Sequence, residues 1–533
     1  MKKLLSLIAI AVLAILITSS EAFAQEGIWK TYTRANSGLI GDSVTSFDFD
    51  WNDSIWVGAW QGAAKQTEAT WKPYNTKEYM PSNDIWDVDY ANGSMWFAHR
   101  SGITGFDGTT WTSYDVTNSG LVNAPCLDLA HESNGDLWIA TARGLGKYSH
   151  DKVWSSYKKE NTPAMPYDGI QAIAVGTFSS DLWMSFIGTA GLVKFPSGSS
   201  ENAKYYKQDS IPGFPKGAVY IKCLALDDPG HSEADLWAGT QKYGVVRINE
   251  SGATVFSRAN TPAIKNDTIH TVAVDRCGNI WVGTEGGAAM YDGTTWFSFT
   301  KASGHLPHDY VFYIKANRAG HVWIGTKGGV VESKPLPRAI HLVSPLMNMT
   351  MNDSSVLCKW EWACPNIQKY MFEIATNEQF AFSTIDSTSE SLMQTASKLA
   401  TGLTNNTTYY WRVRAKNDAG WGPYSDTWVF HVSYPSAVEA GETQTQFALM
   451  QNYPNPCSNQ TMIKFSLSRY DEVTLTVYDV LGRERAVVLN NQHLGPGEFT
   501  MPFDVTLLPA SGMYIYRLEA GADVTQRMMQ VVR

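Results

Sequence analysis

Thirteen side chains in the first 334 residues could bind a ligand, because they are charged, aromatic or polar groups at positions where a repeated pattern varies. They are Trp60, Trp86, His99, Arg100, Arg143, Gln171, Lys222, Lys242, Tyr243, His270, Glu285, Phe312 and Lys327. Five are fixed cations and one is a carboxylate, although the chain has a formal net charge of -9. Arginine pairs with carboxylates through two hydrogen bonds and aromatic rings stack on ligands, so the set predicts a site for an anionic glycan or peptide. The alternative is that these are solvated loop residues without a common ligand.

No short motif in the sequence assigns a reaction or a metal. The chain has no GxSxG, HExxH or phosphate-binding glycine loop, so the catalytic residues, if there are any, stay unknown. Asp48, Asp50 and Asn52 do not make a calcium loop, because Asp53 replaces the required glycine and no glutamate closes the loop. We therefore predict no metal site and no cofactor.

A tetrapeptide that begins with tryptophan recurs through the first three fifths of the chain. Its copies start 40 to 54 residues apart, at Trp56, Trp96, Trp138, Trp183, Trp237, Trp281 and Trp323. In the copy around Trp281, alternating residues at 269–275, turn signals at 277–279 and 292–293 and an aromatic end at 295–299 predict four antiparallel strands. Seven such units predict an all-β fold that contains a seven-bladed β-propeller.

The amino terminus supplies a strand that the last repeat lacks. An outer strand with the pattern Trp-x-x-aromatic follows most repeats, but none follows Trp323 before Pro335. Residues 28–33 have this pattern, so we predict that they complete the seventh blade of a propeller over residues 25–334. Twelve tryptophans occupy the two repeat positions and are predicted to be core, whereas three stand outside the pattern: Trp51, Trp60 and Trp86.

The propeller would gather the candidate residues on one face. Turns between the second and third strands of each blade lie on the same face as the starts of the innermost strands. Most of the thirteen side chains belong to these turns. The starts of the innermost strands are predicted at the equivalent positions Thr45, Trp86, Pro125, Gln171, Lys222, His270 and Phe312.

These repeats resemble the two-component regulator propeller repeats found in the periplasmic part of bacterial hybrid sensors, over about residues 27–334. The resemblance implies the propeller fold and a sensing or binding heritage. The sequence contains no counterpart of the membrane segment and kinase of those sensors.

Residues 335–434 resemble a fibronectin type III domain. The similarity rests on Trp360, on the strand pattern at 370–375 and on the segment TYYWRVRA at 408–415. It implies a β-sandwich that acts as a spacer or an adhesion module.

Residues 447–533 closely resemble the carboxy-terminal sorting domain of type IX secretion cargo, and a polar linker at 435–446 precedes them. The similarity is carried by LMQNYPNP at 449–456, VYDVLGR at 477–483 and SGMYIYRL at 511–518. It implies a second sandwich, the type IX translocon as a partner, and either attachment to the cell surface or release.

The amino-terminal residues 1–24 are predicted to be a signal peptide. Lys2 and Lys3 precede an apolar run at 4–17, and Ala22-Phe23-Ala24 is a small-x-small cleavage site. We expect no transmembrane segment in the mature chain, and the acidic pI near 5.7 argues against nucleic acid as a partner. The six cysteines have no CxxC pair, so we predict that most are free and that Cys358 and Cys364 do not pair.

Three functions fit the sequence. The first is a secreted or surface-attached binding protein that captures an extracellular glycan or peptide through the propeller face. The second is a lyase or hydrolase that acts on extracellular polymers, with acid or base groups drawn from His99, His270, His305, His308 and Glu285. The third is an adhesin or matrix protein without a small ligand.

Overall fold

The computed structural model describes residues 27–67, 70–75, 79–188, 191–227, 234–361, 363–380, 384–389, 395–434, 446–458 and 460–532. The predicted signal peptide and almost all of the predicted linker at 435–446 lie outside these residues. The chain forms two compact units. The first contains residues up to 338 with the loops 363–368 and 416–423, and the second contains residues 339–362, 369–415 and 424 onward.

Seven four-stranded antiparallel sheets, the blades, make up most of the first unit. The innermost strands of neighbouring blades contact each other around the whole circle, including the first with the last, so the ring is closed. A short helix, α1, spans Arg34–Ser37, and 3-10 turns span Pro196–Gly198 and Gln208–Ser210. The strands are β1 Gly27–Tyr32; β2 Val44–Phe49, β3 Ile55–Ala59, β4 Gly62–Gln66, β5 Trp71–Tyr74; β6 Ile85–Ala91, β7 Ser94–His99, β8 Gly102–Phe106, β9 Trp111–Tyr114; β10 Cys126–His131, β11 Leu137–Thr141, β12 Gly144–Tyr148, β13 Trp154–Tyr157; β14 Ile170–Val175, β15 Leu182–Phe186, β16 Leu192–Phe195, β17 Lys204–Tyr206; β18 Ile221–Asp227, β19 Asp235–Thr240, β20 Val245–Asn249, β21 Gly252–Phe256; β22 Ile269–Val274, β23 Ile280–Thr284, β24 Gly287–Tyr291, β25 Trp296–Phe299; β26 Val311–Ala316, β27 Val322–Thr326 and β28 Gly329–Pro335.

The seventh blade contains strands from both ends of the propeller sequence. Its order is β1-β28-β27-β26, and β1 pairs antiparallel with β28 from Gly27 opposite Pro335 to Tyr32 opposite Val330. The Tyr32 ring stacks on Trp323 with 5.6 Å between centroids, and its hydroxyl donates to Glu332 at 3.1 Å. This strand covers the edge of β28 that would otherwise be open.

The repeated tryptophan, which stands in the second strand of each blade, packs in the hydrophobic interior of the propeller. Six of the seven are at most 7% exposed, and Trp183 is half-buried. Directly across the sheet, four of them face a cation whose charged group lies over the indole ring: Lys65, Lys147, Lys194 and Arg247. Each cation also pairs with an acidic side chain, as Lys65 does with Asp50 at 2.7 Å. The tryptophans are therefore scaffold, as the repeat predicts.

A β-bulge stands at the second residue of every innermost strand, where the register shifts. A bulge redirects one side chain out of the regular alternation. The seven bulge residues are Thr45, Trp86, Leu127, Gln171, Lys222, His270 and Phe312. The prediction of Pro125 at this position is wrong, because the strand of the third blade begins one residue after it, at Cys126.

Buried polar side chains join neighbouring innermost strands around the channel. Asp87 accepts a hydrogen bond from the backbone N–H of Leu129, and Asp128 accepts one from Ile173, each at 2.8 Å. Ser46 and Thr271 accept equivalent bonds from the next blade. The innermost strand is the edge of its sheet, so these bonds satisfy N–H groups that have no partner strand.

One disulfide lies within the first unit, between Cys277 and Cys364. Cys277 is in the turn between β22 and β23, and Cys364 is in the loop 363–368. Four cysteines are free, which agrees with the prediction that most would be, and Cys358 does not pair with Cys364. The bond that does form joins residues 87 apart, a pair that the sequence did not suggest.

The second unit contains two β-sandwiches. Their strands are β29 Leu342–Ser344, β30 Met349–Met351, β31 Val356–Glu361, β32 Lys369–Ala375, β33 Thr384–Ser389, β34 Thr395–Ala400, β35 Thr407–Lys416, β36 Trp428–Val432, β37 Ala448–Leu449, β38 Gln460–Leu467, β39 Asp471–Asp479, β40 Glu484–Leu494, β41 Gly497–Asp504, β42 Gly512–Ala520 and β43 Asp523–Val531. The first sandwich has sheets β29-β31-β34 and β30-β36-β35-β32-β33 around Trp360 and Trp411, both 0% exposed. The second has sheets β37-β38-β41 and β40-β39-β42-β43, with Cys457 in its core and a 3-10 turn at Val505–Leu507. The predicted fold class, a seven-bladed propeller followed by two β-sandwiches, is confirmed.

Among the described residues, no helix has the length and apolar character needed to cross a membrane.

Candidate functional site

The start of each innermost strand lies beside the turn between the second and third strands of its blade. In the sixth blade, for example, Ile269 pairs with Thr284, the last residue before that turn. The bulge residues and these turns therefore lie on one face of the ring, which we call the mouth face. It carries the predicted ligand-binding residues, with one exception described below.

Lys222, His270 and Glu285 form a connected group on the mouth face. Lys222 Nζ lies 3.0 Å from His270 Nδ1, and His270 Nε2 lies 3.4 Å from Glu285 Oε1. Burial and then the Lys222 charge lower the pKa of His270 to about 4. The imidazole is therefore neutral at pH 7, and Nδ1 accepts a hydrogen bond that the ammonium group donates. The Nε2 atom is buried and has no hydrogen-bond partner in the described part of the chain, although Glu285 Oε1 lies 3.4 Å away.

Two aromatic rings extend this group towards the seventh blade. Tyr310 stacks on His270 with 4.8 Å between ring centroids, and Phe312 lies 4.7 Å from Tyr310. Tyr310 was not among the predicted residues, because it belongs to the loop before β26 rather than to a bulge or a turn. A sequence signal existed, since it stands two residues before the bulge residue Phe312. The structure thus brings together residues of the fifth, sixth and seventh blades.

The five cations on the mouth face have no carboxylate within ion-pair distance in the described part of the chain. They are Arg100, Arg143, Lys222, Lys242 and Lys327. By contrast, the cations that lie over the repeated tryptophans all have an acidic partner. Lys222 is half-buried and the other four mouth cations are exposed. The mouth face therefore carries positive charge that the protein does not itself neutralise.

The loops that lead into the innermost strands also lie on this side, and four of them contain the same motif. A basic residue near the beginning of the loop donates its backbone N–H to an aspartate later in the same loop, so each motif adds one positive and one negative side chain. The pairs are Arg34 with Asp42, Lys159 with Asp168, Arg258 with Asp267 and Lys301 with Asp309, at 2.6–2.7 Å. This motif leaves the charge excess of the mouth face unchanged.

His99 does not belong to the mouth face. It is the last residue of β7 and is 0% exposed, with Nε2 at 2.9 Å from the Thr104 hydroxyl and Nδ1 accepting the Ser101 N–H. The equivalent residue in four other blades is a buried threonine. Burial lowers the pKa of His99 to about 4, so it is a neutral core residue. Its selection from the sequence as a site residue is wrong.

The remaining predicted residues also stand on the mouth face. Trp60 is 46% exposed in its turn, and Trp86 and Gln171 are half-buried bulge residues. The Tyr243 hydroxyl donates to the Lys216 carbonyl at 3.5 Å. The backbone N–H of Lys327 donates to the Tyr310 carbonyl at 3.0 Å, so the turn that carries Lys327 adjoins the Lys222 group.

The five residues around Lys222 can bind but do not by themselves define a reaction. The ammonium group retains two N–H donors beyond its bond to His270, and the rings of Tyr310 and Phe312 offer surfaces for stacking. No group of three or more His, Cys, Asp or Glu side chains within the described ranges could hold a metal ion.

Three family comparisons match the three kinds of domain. Residues 451–532 match the Secretion system C-terminal sorting domain, residues 344–430 match the Fibronectin type III domain, and residues 263–286 match the Two component regulator propeller. No curated protein matches the chain.

The whole chain is also similar to solved structures at low identity. Two extracellular domains assigned to hybrid two component systems of B. thetaiotaomicron are 10% and 11% identical, each with a TM-score of 0.48 over 95% of this chain and 100% of the other. PorZ, a surface component of the type-IX secretion system of Porphyromonas gingivalis, is 13% identical, with a TM-score of 0.45 over 93% of this chain and 60% of PorZ.

The sorting domain identifies the chain as type IX secretion cargo. It is a secreted or cell-surface protein whose carboxy-terminal domain interacts with the secretion machinery. The match to the sorting domain carries this conclusion, because the other matches concern the fold.

Proposed function

We propose that the protein is an extracellular binding module whose mouth face captures an anionic glycan or an acidic peptide. The observation that supports it most strongly is the charge distribution. In a chain of net charge -9, the four cations over the repeated tryptophans are paired with carboxylates, while the five cations of the mouth face have no such partner among the residues that the structure describes.

The group around Lys222 is the proposed centre of binding. A ligand carboxylate would accept hydrogen bonds from Lys222 Nζ, whose charge is undiminished because its partner His270 is neutral. Tyr310 and Phe312 would contact the apolar side of a sugar ring or a peptide side chain. Arg100, Arg143, Lys242 and Lys327 would bind further anionic units of a polymer and accelerate its approach.

Isothermal titration with oligogalacturonate, and with a neutral oligoglucoside as the comparison ligand, tests this function. The wild-type chain should bind the uronate and lose affinity as the salt concentration rises, because exposed charges are screened. Lys222→Met should weaken binding at least tenfold, as expected for the loss of a charged hydrogen bond of about 1.5–3 kcal/mol. Arg247→Met is the matched control, because this cation is already paired with Asp235 at 2.8 Å.

An acidic peptide repeated in the same titration separates the two ligand classes. Binding of neither probe by the wild-type chain on a broad panel, or equal binding by the Lys222 variant, would contradict the proposed site. In that case the protein would be better explained as an adhesin or matrix component without a small ligand.

A lyase or hydrolase is the second outcome of the same experiment. His270 is neutral at pH 7, which is the protonation state that a general base requires, and it lies near Glu285. Release of unsaturated or reducing ends from the uronate polymer, lost in His270→Ala, would establish that the mouth face has catalytic activity. Binding without product release supports the binding module.

A further inference from the structure

The second blade departs from its neighbours at the residue opposite its repeated tryptophan. The residue that faces this tryptophan across the sheet is a lysine or arginine in four blades, Met290 in the sixth and Glu332 in the seventh. In the second blade it is Gly105, which faces Trp96. The Trp96 ring lies directly against this glycine, because a Cβ at residue 105 would stand 2.8 Å from the ring. No side chain therefore covers the ring here, as a cation does in four other blades.

The acidic partner of that cation is missing as well. Asp136, Asp181 and Asp235 stand two residues before the repeated tryptophan and pair with Lys147, Lys194 and Arg247. The second blade has Ser94, the first residue of β7, two residues before its repeated tryptophan. The Trp96 indole N–H donates to the Ala91 carbonyl instead of to a carboxylate. Both members of this ion pair are absent from the second blade, so the pair places no buried charge of either sign beside Trp96.

A cavity of about 250 Å³ lies at this place, between the second and third blades. The rings of Trp96 and Tyr148, 5.5 Å apart between centroids, form an aromatic wall. Asn92, Ser94 and Thr112 contribute uncharged hydrogen-bonding groups. Drug-sized ligands occupy cavities of about 300–1,000 Å³, so this one has room for a single ring.

Two charged side chains at the rim balance each other and are free to contact a ligand. All the hydrogen bonds to the Asp107 carboxylate, from Thr109 and Thr110, go to Oδ1, so Oδ2 has no hydrogen-bond partner among the described residues. Lys152 lies at the rim without a carboxylate within 4 Å in the same part of the chain. The rim is therefore neutral as a whole.

We propose that this cavity binds one neutral sugar ring, as a second site distinct from the mouth face. If only the tryptophan were considered, an organic cation would also be a suitable ligand, because a lysine or arginine covers the equivalent ring in four blades. However, the buried carboxylate that accompanies each of those cations is absent, which disfavours a charged ligand. A pyranose combines an apolar side, which can contact Trp96 or Tyr148, with hydroxyl groups that match Asn92, Thr112 and Asp107 Oδ2.

Saturation-transfer NMR on the full chain tests the proposal with methyl glycosides of glucose, galactose, mannose and N-acetylglucosamine. At least one should bind with a dissociation constant on the order of 1 mM, as a small ligand with few contacts allows. Thr112→Val and Asn92→Ala should each weaken this binding about fivefold, because each removes a hydrogen bond without filling the cavity. Thr254→Val is the matched control, since Thr254 faces Arg247 as Thr112 faces Gly105.

Three results would overturn the proposal. The first is the absence of saturation transfer to all four glycosides, and the second is binding that neither cavity variant changes. The third is binding that Lys222→Met abolishes, because the sugar would then occupy the mouth face. Conversely, failure of the wild-type chain to bind uronate or acidic peptide, together with intact glycoside binding, would reject the proposed function and leave this site standing.

Discussion

Removal of the Cys277–Cys364 disulfide should destabilise the first unit by several kilocalories per mole. The bond closes a loop of 87 residues, and a cross-link lowers the conformational entropy of the unfolded chain. The chain-entropy relation gives a stabilisation of about 4.6 kcal/mol at 25 °C for a loop of this length. This value is a ceiling for the entropic effect, because structure in the unfolded chain reduces it. The perturbation is the double substitution Cys277→Ser/Cys364→Ser, which leaves no unpaired thiol at either position.

Urea denaturation followed by tryptophan fluorescence measures this effect. The double variant should unfold at lower urea than the oxidised wild type, and dithiothreitol should lower the wild-type midpoint towards that of the variant. The variant itself should not respond to dithiothreitol, which controls for effects on other cysteines. Equal midpoints for the variant and the oxidised wild type would refute the reasoning, because the loop 363–368 would then be held to the first unit without the covalent bond.

Three further predictions concern groups inside the propeller. His99→Gln should reduce the acid sensitivity of folding: burial holds the pKa of His99 at about 4, below its unfolded value, so stability falls as pH drops below about 6.5, by about 2 kcal/mol between pH 7 and pH 5. Urea midpoints of wild type and variant at those two pH values check it, and an equal loss in both would contradict it. Asp128→Asn should raise the melting temperature at pH 8, because burial and the Asp87 charge raise the pKa of Asp128 well above its ordinary value, whereas Asp128→Ala should lower it by leaving the Ile173 N–H unpaired, at a cost of about 1–3 kcal/mol. Calorimetry at pH 8 decides, and a lower melting temperature for the asparagine variant would refute it. Tyr32→Ala should cost about 3–5 kcal/mol as a large buried aromatic, while Ile28→Ala in the same strand, 47% exposed, should change stability by less than about 0.5 kcal/mol. Similar urea midpoints for these two variants would show that β1 contributes little to closing the ring.

The fold follows from the sequence because its determinants are local and repeated. Each blade carries its own tryptophan, glycine turns and alternating strands. The strands of a copy that is hard to interpret can therefore be predicted from the six other copies. The sorting and fibronectin type III domains were similarly evident from continuous segments. The disulfide was not, because Cys277 and Cys364 come from different segments and nothing near either residue indicates the other.

The sequence predicts the candidate site only as a face, and its details depend on differences of one or two residues in register. His99 was assigned to a turn, yet it ends β7 and points into the core where other blades have threonine. The sequence pattern predicts Pro125 at the equivalent position, whereas the bulge residue is Leu127, two residues later. Tyr310 was missed because stacking on His270 depends on the position of a loop. A shift of one residue moves a side chain to the opposite side of a strand, so patterns alone could not settle these points.

The pairing of β1 with β28 also sets a delay in the biogenesis of the protein. Tyr32 and its partner Glu332 are 300 residues apart, so a chain that emerges amino terminus first exposes β1 for about 15–60 s at the usual 5–20 residues per second. Throughout that time the Trp29 and Tyr32 side chains have no blade to enter, and the strand offers an edge to any other chain. We therefore expect newly made chains to need a holding chaperone until Pro335 has emerged, and the ring to close in one late step.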